Sequence, residues 1–102
     1  MSEIMLQLNF NFSVSKEEYE GAVSPLANKF ANVPGLIWKI WILNEEKSEA
    51  GGIYLFENQA SVDNYLSGPL AETVTTHPAL SNFSIKQFTI MEDNTKVTRG
   101  PV

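Results

Sequence analysis

From Ile4 to Phe12 the chain alternates strictly, with Ile4, Leu6, Leu8, Phe10 and Phe12 on one side and Met5, Gln7, Asn9 and Asn11 on the other. A period of two predicts a strand with one core face and one face that is polar but uncharged. Ser15-Lys16-Glu17-Glu18 has the make-up of a capping box, in which the Ser15 hydroxyl accepts from the Glu18 amide. Tyr19, Ala22, Val23, Leu26 and Phe30 then recur at helical spacing and predict an amphipathic helix from about Ser15 to Asn32. Pro25 lacks an amide for the helical ladder, so a kink is expected there. Val33-Pro34-Gly35 ends the helix and turns the chain.

Leu36–Leu43 is rich in β-branched and aromatic residues on both faces and predicts a buried central strand. Asn44–Ser48 is a polar turn, and Glu49–Phe56 returns as the second arm of a hairpin. Gly51-Gly52 inside that arm suggests a bulge or a close approach by backbone or ligand. Asn58 is placed to cap a short helix carrying Ala60, Val62, Tyr65 and Leu66, which Ser67-Gly68-Pro69 breaks. A second helical piece is expected from Leu70 to about Thr76, stopped by His77-Pro78. Asn82 to Met91 alternates as a last strand, and Glu92 to Val102 reads as a polar tail. The order β-α-β-β-α-β predicts one α+β domain over residues 1–102, a ferredoxin-like subunit with a four-stranded antiparallel sheet.

The apolar content raises a further expectation. Leu36, Trp38, Ile40 and Ile42 alternate with Ile37, Lys39, Trp41 and Leu43, and Ile53 and Leu55 with Tyr54 and Phe56. Two helices cover only one face of such a sheet, and a large bare apolar patch is rare on a monomer. A homodimer formed by sheet-on-sheet packing is therefore expected, the alternative cover being the C-terminal tail.

Composition narrows the chemistry. The chain has 102 residues, 43% of them hydrophobic and 19% charged, which is an ordinary globular balance. It has no cysteine, so disulfides, thiolate metal sites and a cysteine nucleophile are excluded. His77 is the only histidine, which disfavours a multi-histidine metal site within one chain. A net charge of −5 argues against nucleic acid and anionic membrane surfaces as partners. The longest apolar run is Leu36–Leu43, interrupted by Lys39, and is too short to span a bilayer. Met1-Ser2-Glu3 lacks the features of a signal peptide, so a cytoplasmic location is expected.

The most informative residues are Pro34-Gly35-Leu36-Ile37-Trp38-Lys39-Ile40-Trp41 and Glu49-Ala50-Gly51-Gly52-Ile53-Tyr54-Leu55-Phe56. Trp38 and Trp41 are three apart on a strand and must point to opposite faces. These segments, with Leu6-Gln7-Leu8-Asn9-Phe10 at the start and the total length, resemble the YdhR-type monooxygenase family of the dimeric α/β-barrel superfamily. The resemblance implies a dimer whose two sheets form a barrel. It also implies kinship with cofactor-free monooxygenases that oxidise phenolic substrates with molecular oxygen.

Such chemistry needs an apolar pocket, a group to take the phenolic proton, and donors for the developing oxyanion. Trp38, Trp41 and Phe56 are candidate pocket walls, and Tyr54 is a candidate donor. Asn9 and Asn11 are candidate amide contacts to substrate, and His77 is a candidate proton acceptor. Lys39 either pairs with Glu49 across the hairpin or anchors an anionic substrate. The function expected is a cofactor-free, metal-free monooxygenase acting on an aromatic small molecule between sheet and helices. The alternatives are a non-catalytic module that binds or senses a ligand in the same pocket and a haem-handling protein, for which His77 is the only available ligand.

Overall fold

The computed structural model describes residues 2–102. Strand β1, Ile4–Phe12, leads into helix α1, Lys16–Val23. A 3₁₀ turn at Ser24–Leu26 then separates α1 from α2, Ala27–Ala31. Pro25 sits in that turn, so the expected kink is a full break into two short helices. The Ser15 hydroxyl accepts from the Glu18 amide at 3.1 Å, as a capping box requires. Strands β2, Leu36–Asn44, and β3, Glu49–Phe56, form the hairpin. Helices α3, Gln59–Leu66, and α4, Pro69–Thr75, precede β4, Leu80–Thr89. Asn58 caps α3 by accepting from the Ser61 amide.

The four strands form one antiparallel sheet in the order β2-β3-β1-β4. This is the ferredoxin-like arrangement, with one correction: β2 is an edge strand, not a central one. Its apolar residues lie on both faces because one face meets the helices while the other belongs to the open side of the sheet. The ladder register slips between Leu36 and Trp38, so Leu36 joins Lys39, Trp41 and Leu43 on the helix side. Trp38, Ile40 and Ile42 take the open side.

The core lies between sheet and helices. Ile4, Leu6, Leu8, Phe10 and Phe12 of β1 meet Tyr54 and Phe56 of β3, Tyr19 of α1, Phe30 of α2, Val62 and Tyr65 of α3, and Ala71 of α4. Gly35 closes the α2–β2 turn at φ 81°, where a side chain would be strained and would strike Ser61.

The C-terminal residues are more than a polar tail. Glu92–Val97 forms helix α5, and the Trp38 indole N–H donates to the Pro101 carbonyl at 2.8 Å. The chain end therefore returns to the open side of the sheet near Leu55, which pairs with Trp38 and is 1% exposed. The rest of that side stays bare: Ile40 and Phe88 are each 48% exposed.

Candidate functional site

Lys39 and Trp41 stand two residues apart on the helix-facing side of the edge strand, opposite Tyr54 and Gly52 of β3. Gly52 makes room for the lysine: a Cβ there would lie 2.7 Å from Lys39 Cε. The stem can therefore run across β3 and deliver its amine into a box of rings. Nζ lies 3.4 Å from the Phe30 ring centre, 3.5 Å from Trp41 and 4.6 Å from Tyr54. Phe30 and Trp41 meet edge to face at 5.2 Å, which holds two walls of the box in place.

Burial lowers the Lys39 pKa to about 7, and no charged neighbour contributes to the shift. Ring faces are the compensation the ammonium receives, at ~0.5–2 kcal/mol for a cation–π contact. At neutral pH the amine is thus divided between its charged and free forms. Behind it the Tyr54 and Tyr65 hydroxyls share a buried hydrogen bond of 3.0 Å. Burial is the largest cause raising the pKa of each, so both stay protonated. Burial also pushes Tyr19 up to about 12.

Three spaces meet at Trp41. A cleft of about 300 Å³ opens between α1, the 3₁₀ turn and β2, walled by Tyr19, Val23, Ala27, Trp41 and Leu43 with Glu20 among its lining residues. A groove of about 260 Å³ borders Phe30, Ala31, Leu36, Ile37, Lys39 and Trp41. A gap of about 20 Å³ lies between Lys39, Phe30, Trp41, Tyr54 and Tyr19. Trp41 is 39% exposed and borders all three.

Of the residues singled out in the sequence, the fold brings Lys39, Trp41 and Tyr54 together. Phe56 packs under them, its ring 6.0 Å from Tyr54, but it is 0% exposed and belongs to the core. Trp38, Asn9 and Asn11 lie on the other face of the sheet, because strand alternation sends them away from the helices. There the Asn9 amide donates to Glu49 at 3.2 Å, and the Asn11 amide donates to the Ser48 carbonyl at 3.2 Å. Asn11 also accepts from Asn82. The same alternation rules out the Lys39–Glu49 pair, since the two side chains occupy opposite faces. The Gly51-Gly52 bulge is absent as well: both glycines pair regularly, and the slips lie at Leu36/Trp38 and Asn9/Asn11.

His77 is exposed after the C-terminal end of α4, where its Nδ1 accepts from the Ala79 amide at 3.1 Å. It borders a separate gap of about 40 Å³ and does not line the spaces around Lys39. It is therefore not placed to take a proton from a molecule beside Lys39. Among the described residues no cluster of three or more His, Asp or Glu is arranged to hold a metal. Sequence reasoning missed Phe30 and Tyr65 as parts of the site. Both sit at core-facing helical positions, and no local signal separates a core ring from one that also cradles a cation.

Comparison with known proteins adds the following. The family model described as "Putative mono-oxygenase ydhR" matches residues 5–101. No curated protein matches the chain. Among solved structures, SnoaB from Streptomyces nogalater, described as a cofactor-independent oxygenase, is similar at 20% identity and a TM-score of 0.71, covering 88% of this chain and 94% of that one. The heme-degrader MhuD from Mycobacterium tuberculosis, solved with two hemes in its active site, is similar at 15% identity and a TM-score of 0.66, over 85% and 95% of the two chains. Hydroxynitrile lyase from Passiflora edulis is similar at 16% identity and a TM-score of 0.65, over 90% and 97%. One fold thus carries three chemistries, and the site has to decide between them.

Proposed function

This chain belongs to the ydhR mono-oxygenase family, and on that footing we propose that it is a cofactor-independent mono-oxygenase of a phenolic or enolic aromatic small molecule bound beside Trp41. The observation that carries this reading is the Lys39 amine, which is partly free at neutral pH and ringed by Phe30, Trp41 and Tyr54 at the edge of an apolar cleft. A cleft of about 300 Å³ is at the lower end of the range for small-molecule sites. The likeness to SnoaB supports oxidation without a bound cofactor.

In this mechanism the substrate supplies the electrons. Lys39 takes the phenolic or enolic proton, and the ammonium formed stays against the resulting anion. The electron-rich ring then reacts with molecular oxygen. A ring carbon exchanges its C–H for one oxygen atom as a carbonyl, and the phenolic oxygen becomes the second carbonyl of a quinone. The O–H proton held by Lys39 and the hydrogen from that carbon leave with the other oxygen atom as water. Trp41 stacks on the substrate, Phe30 backs the lysine from the core, Tyr54 and its partner Tyr65 fix the floor of the box, and the apolar walls exclude water.

The assembly proposed is a two-fold homodimer joined through the open side of the sheet. Support comes from Ile40 and Phe88, exposed beside the half-buried Met5, Ile42 and Ile53 on one continuous face. Sedimentation should give a dimer at micromolar concentration, and a compact monomer would remove this part of the proposal.

The deciding experiment measures oxygen uptake by metal-free protein with anthrol, naphthol and quinol substrates, alongside tryptophan quenching as a binding signal. Uptake that needs no added cofactor and is lost in Lys39→Met is the expected result. Tight quenching with no uptake would replace the oxygenase with a binding module for the same ligands.

A further inference from the structure

Lys39 has a second chemical capacity that proton transfer does not use. Its amine is primary, has no carboxylate partner among the described residues, and is held among rings, while the residue also lines a groove of about 260 Å³ beside Trp41. A lysine desolvated in an apolar pocket is the arrangement that turns an ordinary ammonium into a nucleophile. The surroundings reinforce this. Tyr19 of α1 and Tyr54 of β3 are the other titratable groups lining the inner gap, with Tyr65 of α3 bonded behind Tyr54. All three remain neutral phenols at physiological pH, held so mainly by burial. Phe30 of α2 and Trp41 carry no charge, and Glu20 lines only the outer cleft. Among the described residues no anion is therefore placed against Nζ to hold its proton.

We propose that Lys39 is a carbonyl-capturing amine, which binds small aldehydes or ketones from the groove as a reversible imine. The free Nζ lone pair adds to the carbonyl carbon, and a proton passes from nitrogen to the carbonyl oxygen. The carbinolamine formed then loses water and a C=N bond remains. No oxidant or reductant is consumed. Gly52 is part of the device, since a side chain there would displace the Lys39 stem. The ligand class is a flat, apolar carbonyl compound such as an aromatic aldehyde, whose ring can stack on the half-exposed Trp41 while its carbonyl carbon meets Nζ.

The test uses the wild-type protein with benzaldehyde and sodium cyanoborohydride, which fixes an imine as a stable secondary amine, followed by peptide mapping. At pH 7 an ordinary exposed lysine, with a pKa of about 10.4, is almost wholly protonated. Lys39 should therefore carry at least about tenfold more label than Lys16, Lys29, Lys47, Lys86 or Lys96. Its labelling rate should level off above pH 8, while that of the other lysines keeps rising. Lys39→Arg, which keeps the charge and the stem, should lose the selective adduct and leave the slow labelling elsewhere intact. Equal or lower labelling of Lys39 at pH 7, or a Lys39 rate that climbs to pH 10 with the others, would overturn the proposal. The readout is a covalent adduct rather than oxygen uptake, so adduct without uptake and uptake without adduct separate this inference from the oxygenase reading.

Discussion

Trp38 and Trp41 are the same residue type, three positions apart on one edge strand, yet the molecule uses them differently. Trp41 faces the helices, meets Phe30 edge to face and covers a lysine amine beside an apolar cleft. Trp38 faces the open side, where its indole is tied to the Pro101 carbonyl and it lies beside the buried Leu55. The two faces of the sheet divide in the same way. The helix-facing side has a closed core with one polar intrusion, the Lys39 box. The open side mixes Met5, Ile40, Ile53 and Phe88 with Gln7, Asn9 and Asn11, and only its end near Trp38 is reached by the chain's own C-terminal segment. A face packed by its own helices is set by stability, whereas a face left half-covered points to assembly.

The comparison can be broken most forcefully at Phe56. Phe56→Ala empties a fully buried ring position and should cost ~3–5 kcal/mol in chemical denaturation. Ile40→Ala on the open face should cost well under half of that at protein concentrations where the subunit is a monomer. Equal losses would mean that the two faces are equally packed. Tyr54→Phe comes next. It leaves the Tyr65 hydroxyl buried without its partner and should cost ~1–3 kcal/mol, while adding Tyr65→Phe should restore part of the loss.

Lys39 gives the third test, read as pH dependence. Its folded pKa is below that of the unfolded chain, so between about 7 and 10.5 the unfolded state binds more protons than the folded one. Stability should therefore rise with pH across that window. Tyr19, Tyr54 and Tyr65 act in the opposite sense only above about pH 10, because their raised pKa values make the folded state hold protons that the unfolded chain has lost. The rise between pH 7 and 10 should be weaker in Lys39→Met. An identical slope in the two proteins would remove Lys39 as a desolvated amine. The smallest effect is expected at His77. His77→Ala breaks an exposed bond to the Ala79 amide, so oxygen uptake should stay within about twofold of wild type.

Much of the subunit was legible in the chain. Strict alternation in β1, the Ser15 capping box and the Asn58 cap each report on neighbours within a few residues, and each appears in the structure where the pattern put it. The position of β2 was not legible. An edge strand with apolar residues on both faces has the same local pattern as a buried central one, and only the pairing of β1 with both β3 and β4 separates them. Asn9 and Asn11 illustrate the same limit. Alternation put them together on the polar face of their strand but could not say that the apolar cleft lies on the other side.

The β-α-β-β-α-β order, the family and the oddity of a lysine inside an apolar strand can be read along the chain, because they follow from side-chain periodicity and from contiguous motifs, whereas helix α5 could not. What that lysine meets is set by the folded arrangement. Phe30 lies nine residues before it and Tyr54 fifteen after, and Gly52 must be bare for the stem to cross β3. Desolvation and ring contacts depend on what surrounds an atom in space, so the chemistry of Lys39 exists only once two helices and two strands have closed around it.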